Sequence, residues 1–356
     1  MSETRSTIGQ RKADHLALCA TDEVAFRNKT TLLEQVRFVH DALPDLHADA
    51  LDTSVVILGK RLRAPIVIAA MTGGTEEAAR VNRELARIAE ERGYGFGLGS
   101  QRAMHVRTET AGTYEVREVA PTTLVLGNLG VVQARAMSTN EVDDLLGKIA
   151  ADALCIHLNP AMELVQPGGD RDFTGGLDTI ARLVRDLRVP VVVKETGCGI
   201  SGSVGTRLRS VGVTHVDTSG AGGTSWVAVE TKRAEAAHDA PARALGEALW
   251  DWGIPTAVSV GMLAPLGFET IVATGGIMTG LDVARAIALG ASAAGIARPA
   301  LKALTAGGRD GALAFFDAVE RELRAAMLLS GSANVAALRK APRVLGSELR
   351  TWLDQA

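Results

Sequence analysis

His157 and Asn159 stand two residues apart at the end of one apolar run, and Lys194 and Glu195 close another, PVVVKE. Residues two apart on a strand share a face, so His157 and Asn159 can meet one polar ligand together. Consecutive residues point to opposite faces, which weakens a Lys194–Glu195 rim salt bridge as the reason for that pair. An ammonium at such a place is buried at a cost unless an anion compensates it. Thr72, the trio Ser100, Gln101 and Arg102, then Asn128 and Ser219 end four further apolar runs. The plainer alternative for His157 is a satisfied structural histidine. Near the C-terminus, TIVATGGIMTGLDVARAIALGA reads as a strand, a Gly275-Gly276 turn and a helix starting at 279–281, and AGIARP follows it. Glycines let a backbone approach a phosphate, and a helix N-terminus adds unpaired N–H groups and a positive dipole end. The alternative is a tight turn and nothing more. Glu163, just beyond Asn159, offers the hard oxygen that Mg²⁺ takes together with phosphate oxygens.

These positions need a scaffold that brings strand ends to one mouth. Apolar runs of strand length fall at 65–71, 94–98, 123–128, 153–159, 190–195, 214–219, 270–274 and 293–297. Several are apolar on both faces, as in a sheet covered on both sides. Between them, 76–91, 140–151, 177–187 and 281–289 carry apolar residues at helical spacing. The alternation predicts βα units and a parallel sheet, an α/β fold of the (β/α)₈ barrel type. The run 255–260 also looks like a strand and would make nine. Eight closes a barrel, so 256–264 is read as a helix before the seventh strand. Residues 1–60 lack the rhythm and read as an N-terminal extension; 61–356 read as the barrel. The segments 197–205 and 219–240 are expected to be long irregular insertions on the catalytic face. The Gly-rich SGAGGTSW within the second is a weak signal for a phosphate nest or a lid.

The chain has 356 residues, a formal net charge of −3 and 47% hydrophobic residues, enough for a large core. That charge argues against a nucleic-acid binder held by bulk electrostatics, while a local basic pocket stays open. Cys19, Cys155 and Cys198 form no CxxC pair, so neither a disulfide framework nor a zinc site is indicated and a reducing compartment is expected. The first twenty residues have no apolar signal-peptide core, and no apolar run is long enough for a membrane span. Gly93, Gly95, Gly97 and Gly99 alternate and do not match the dinucleotide fingerprint.

The ordered set RKADHL at 11–16, AAMTGGT at 69–75, GLGSQR at 97–102, NLG at 128–130, HLNPAMELVQPGGDR at 157–171, VVVKETGCGIS at 191–201, SGAGGTSWVAVE at 219–230 and TGGIMTGLDVARAIALGA at 274–291 resembles the type 2 (FMN-dependent) isopentenyl diphosphate isomerases. The resemblance implies a cytoplasmic homo-oligomer (dimer, tetramer or octamer) that isomerises isopentenyl diphosphate to dimethylallyl diphosphate in isoprenoid biosynthesis. Reduced flavin N5 is the implied acid and base, with NADPH as reductant and Mg²⁺ bound. FMN would be held by Ala70, Met71, Thr72, Ser100, Asn128, Lys194, Thr224, Gly275, Gly276, Ile277, Ala297 and Arg298. Lys194 beside the pyrimidine ring would stabilise the anionic reduced cofactor. Arg11 and Lys12, in the family often from a neighbouring subunit, would reach the diphosphate. Ser100, Gln101, Arg102, His157, Asn159, Met162 and Ser201 would complete that pocket. His157, Lys194, Glu163 and Glu230 are the implied catalytic groups, with Glu163 on the metal.

Two positions depart from the family pattern. Met162 stands where a glutamine is usual, and a thioether has no proton to exchange and accepts weakly. Met278 stands where many members have arginine. Met162 opens a second reading, a divergent paralogue that binds FMN and a prenyl diphosphate with altered or lost isomerase chemistry. A third, an FMN-dependent 2-hydroxy acid oxidoreductase, wants a His base and Arg clamps near the sixth strand, and SGAGGTSW has neither.

Overall fold

The computed structural model describes residues 11, 12 and 14–355. Its centre is a closed parallel barrel of β1 (Ile66–Ile68), β2 (Gly95–Gly97), β3 (Leu124–Gly130), β4 (Ala153–His157), β5 (Val191–Lys194), β6 (His215–Asp217), β7 (Thr270–Thr274) and β8 (Ala293–Ile296). Each strand pairs with its neighbour in sequence, and β8 closes on β1 through Ala294 opposite Ile66. All eight coincide with the expected runs. The ninth candidate is the helix Thr256–Leu263, as the barrel count demands.

Alternation along the strands divides two cores. Val67, Leu124, Leu126, Ala153, Cys155, Val192, Val272 and Ala293 fill the barrel interior with Ile57 and Leu62 of the hairpin Val55–Ile57/Lys60–Leu62. Ile66, Ile68, Phe96, Val125, Leu154, Ile156, Val193, Val216 and Ile271 face outward into the helical layer. The period of two then fixes the polar ends. Asn128 continues the inner row of Leu124 and Leu126, His157 that of Ala153 and Cys155, and Lys194 that of Val192. Strand pairing sets His157 beside Lys194 and Lys194 beside Asp217.

Each of the two segments expected to be irregular starts as a loop and runs into a helix. Gly202–Ser210 is capped by Ser201, whose Oγ accepts from the Val204 N–H at 3.2 Å. Trp226–Ala236 is capped by Ser225, and Val227 through Thr231 are all buried. A helix buried around most of its girth shows no amphipathic period, which is why the pattern missed it. The terminal segments are joined by an antiparallel pair, Val36–Phe38 with Arg343–Leu345.

Candidate functional site

The C-terminal ends of the strands open into one cleft. Asn128, His157, Lys194 and Thr274 reach it from the barrel's inner rows, and the βα loops supply the rest. Five cationic side chains line it, Arg11, Lys12, Arg102, Lys194 and Arg298, against the single carboxylate of Glu163. That imbalance suits an anionic ligand.

His157 Nδ1 lies 2.8 Å from Asn128 Oδ1. The amide oxygen can only accept, so the imidazole donates from Nδ1 and leaves Nε2 as an acceptor. Burial, reinforced by Lys194, Lys12 and Arg102, pushes His157 down to about 3, so the ring is neutral at working pH. It therefore serves as a hydrogen-bonding acceptor and not as a cation for phosphate.

The short helix Pro160–Val165 carries Glu163 and Met162 to the wall. Glu163 is only 6% exposed, and its carboxylate accepts from Asn159 Nδ2 at 2.8 Å, Gln166 Nε2 at 3.2 Å and the Asp170 N–H at 2.8 Å. Met162 Sδ stands 4.0 Å from Asn159 Nδ2. Lys194 Nζ donates to the backbone oxygen of Glu195 at 2.6 Å. The Glu195 carboxylate turns away to accept the N–H groups of Thr196, Gly197 and Cys198. The pair is thus no side-chain salt bridge, as strand alternation requires.

Two glycine-rich loops meet at the far wall. Gly275 and Gly276 have φ of 106° and 70°, a region costly for other residues. A Cβ on Gly275 would lie 2.1 Å from Gly220 O, and one on Gly223 2.3 Å from Gly276 N. Loop packing alone therefore demands these glycines. The helix after β7, Gly280–Leu289, corrects one expectation: its first donors are not unpaired. Asp282 Oδ2 accepts from the Met278 and Thr279 N–H groups, and Glu322 Oε2 accepts from Gly280 N–H at 2.7 Å. Two carboxylates already satisfy that helix end, and the Gly276 and Ile277 N–H groups remain without a protein acceptor among the described residues.

Three expected site residues do not line the cleft. Gln101 is 1% exposed and braces it from behind: Oε1 accepts from the Asn128 N–H, and Nε2 donates to Leu145 O. Ser201 is a helix cap. Glu230 has no exposure, and both its oxygens are taken, by His15 Nε2 at 2.7 Å and an Arg233 guanidinium N–H at 2.6 Å. Burial alone would raise its carboxyl, but His15 and Arg233 outweigh that and hold it low. The remaining candidates border the cleft: Ala70, Met71, Thr72, Ser100 and Thr224, then Ala297 and Arg298, and Arg11, Lys12, Arg102 and Asn159. Sequence reasoning missed His15, Gln133, Gln166, Thr196 and Trp226 on the same wall. The signal for His15 was one helical turn's spacing from Arg11; Gln133 and Thr196 lie just past the ends of β3 and β5.

Among the described residues, no cluster of three or more His, Cys, Asp and Glu side chains could hold a metal, and no helix is long and apolar enough to cross a membrane. The family model for FMN-dependent dehydrogenases matches residues 4–147 and 158–344. The isopentenyl-diphosphate delta-isomerase of Methanothermobacter thermautotrophicus is 42% identical, covering 98% of this chain and 96% of its own length. That of Pyrococcus furiosus is 43% identical, covering 99% and 90%. Among solved structures, a mandelate oxidase bearing a monooxide FMN adduct aligns with a TM-score of 0.64 at 18% identity, covering 92% of this chain and 95% of the other. Another, with (S)-2-phenylpropionate, gives 0.63 at 18%, covering 96% and 98%. At that identity the likeness carries the barrel fold and no chemistry.

Proposed function

Because the chain belongs to the isopentenyl-diphosphate delta-isomerases, within the FMN-dependent dehydrogenase family, we propose that it isomerises isopentenyl diphosphate to dimethylallyl diphosphate with bound FMN. The observation that carries the reading is the cleft's five cations against one carboxylate, at the mouth of a barrel with this descent. FMN fits the residues present: the free N–H groups of Gly276 and Ile277 and the nearby Arg298 suit its phosphate, and Lys194 suits the electron-rich end of its ring. Thr72, Ser100, Asn128, Thr224 and the backbone of Ala70, Met71 and Ala297 would complete the cofactor site. When reduced, the flavin supplies a proton donor and acceptor for moving the double bond.

The chain's own residues then bind, orient and exclude water. Arg11, Lys12 and Arg102 take the diphosphate with the Asn159 amide donating beside them, neutral His157 accepts through Nε2 from a donor such as a bound water, and Glu163 would hold Mg²⁺. NADPH as reductant, a cytoplasmic site of action, a homo-oligomer, and the division into a 1–60 extension and a 61–356 barrel belong to the same proposal. Gln101, Glu230 and Ser201 act at one remove, through Asn128, His15 and a helix end.

Met162 on the cleft wall favours one second reading, a relative that binds FMN and the prenyl diphosphate but isomerises poorly. The deciding experiment begins with the absorption spectrum after FMN is added; absent flavin binding defeats both readings. Anaerobic incubation with FMN, NADPH, Mg²⁺ and isopentenyl diphosphate should then yield the dimethylallyl product. A parent without turnover whose Met162→Gln variant gains it would establish the second reading instead. The oxidoreductase reading has no support in the loop after β6, which carries neither His nor Arg between Ser219 and Trp226.

A pH dependence follows from Lys12. Burial, with Arg11 and Arg102 nearby, lowers its ammonium from 10.5 to about 8. Below that pH it is charged and attracts diphosphate; above it the charge is lost. kcat/KM, which reports the free enzyme, should therefore fall as pH rises through about 8. Lys12→Arg should move that limb to higher pH, and a limb that stays in place would remove Lys12 as its cause.

A further inference from the structure

We propose that Asp217 is the buried counter-charge of Lys194 and thereby limits how strongly the cleft favours reduced over oxidised FMN. It is a positioning residue, because it acts through the ammonium and does not itself border the cleft. The inference deepens the FMN reading and rests on it for the redox readout only.

Lys194 ends β5 and Asp217 ends β6, and the two are partners in the strand register. Both are buried. Lys194 borders the cleft and also a small space inside the barrel, whereas Asp217 borders only that inner space. Val67, Leu126, Val192 and Val272 make most of the rest of its lining apolar. A carboxylate in such surroundings is costly unless a cation offsets it. Lys194 is the one cation on that lining among the described residues.

The groups around the pair leave this role to Lys194. The Cys155 thiol on β4 is pushed up to about 12, chiefly by burial, and stays neutral. His157 is neutral as well, and the Glu195 carboxylate is turned to its own loop. Asp217 Oδ1 accepts from the Ser219 N–H at 3.1 Å, which fixes the carboxyl in place. Thr274 Oγ1 is buried beside it and favours the ionised form, although the geometry falls short of a hydrogen bond. Burial pushes the Asp217 carboxyl up, and Lys194 is the strongest of the groups that pull it back.

Reducing bound FMN by two electrons and one proton adds one negative charge to it. Lys194 attracts that charge and Asp217 repels it, so the pair favours the reduced form less than the ammonium alone would. Asp217→Asn removes the repulsion and keeps an oxygen for the Ser219 N–H.

The first test is the reduction potential of FMN bound to the full chain, measured anaerobically against a reference dye. Asp217→Asn should raise the preference for reduced over oxidised FMN about tenfold, a rise of about 30 mV for a two-electron couple. The sign is opposite to that expected for Lys194→Met. In a Lys194→Met background Asp217 is expected to hold a proton, and the same substitution should change the preference by less than about twofold. A merely structural Asp217 would weaken both oxidation states alike and show no such coupling. An unchanged or lowered potential in the single variant, or equal shifts in the two backgrounds, overturns the proposal. The second test uses the protein without FMN. The infrared difference between wild type and Asp217→Asn should contain the band of an ionised carboxylate, and in the Lys194→Met background that of a protonated carboxyl. A protonated carboxyl in the wild type overturns the proposal. Should Asp217→Asn not fold, Asp217→Ser, which also offers the Ser219 N–H an oxygen, serves for both measurements. A protein that binds no FMN defeats the functional reading, while the infrared bands still decide the charge on Asp217.

Discussion

Lys194→Met is expected to cost roughly 10²–10³ in kcat, and to lower the reduction potential of bound FMN, while the barrel stays folded. Lys194 ends the inner row of β5 and is 7% exposed, with Nζ fixed by Glu195 O at 2.6 Å. A charge held there needs no reorganisation to meet negative charge on the cofactor. At 4 Å and an effective dielectric near 20 the attraction is about 4 kcal/mol, an upper figure. A two-electron couple moves about 30 mV per 1.4 kcal/mol, so a drop of tens of millivolts is the matching redox readout. The fold should tolerate the change because Asp217, the acidic neighbour on β6, is already pushed upward by burial. Lys194 opposes that upward push, so its removal raises the Asp217 carboxyl further and eases the loss of its cationic neighbour. A potential equal to wild type, or kcat within about threefold, would remove Lys194 from the cofactor's charge balance.

The strand ends were legible because a barrel makes a sequence pattern into geometry. The period of two puts Asn128, His157 and Lys194 in one row with Leu126, Cys155 and Val192, and the structure shows that this row faces the barrel interior. Side chains whose meaning lies in a distant partner were not legible. Glu230 reads as a free acid in sequence, but His15, which holds one of its oxygens, is 215 residues away. Gln101 looks like part of a polar trio, yet its amide spans β3 and the helix Thr139–Lys148 as a brace. Ser201 carried a local signal that went unused: a serine three residues before the N–H it accepts is a helix cap. The glycine turn after β7 shows the opposite error. Its position was right, but the helix end counted on for anion binding already holds Asp282 and Glu322.

Glu163→Gln tests the other half of the cleft's electrostatics, because it removes the one carboxylate that faces five cations. The substitution changes charge and hydrogen bonding together. The carboxylate accepts from three donors, Asn159 Nδ2, Gln166 Nε2 and the Asp170 N–H. A glutamine has one oxygen to offer, and its NH₂ would face at least one of those donors, so Asn159 loses its anchor as well. If Glu163 holds Mg²⁺ as proposed, the metal would lose that carboxylate as well. Lewis-acid and positioning effects of a divalent ion amount to several kcal/mol, so a loss of about 10²-fold or more in kcat/KM is expected. The Mg²⁺ concentration giving half-maximal rate should rise steeply in Glu163→Gln and only moderately in Glu163→Asp, which keeps the charge on a shorter arm. Loss of activity with an unchanged Mg²⁺ dependence would instead make Glu163 the anchor of Asn159 alone. Hydrogen exchange across 157–171 then separates the outcomes, since a merely structural Glu163 loosens that loop whether or not Mg²⁺ is present, whereas a ligand loosens it only where the metal had tightened it.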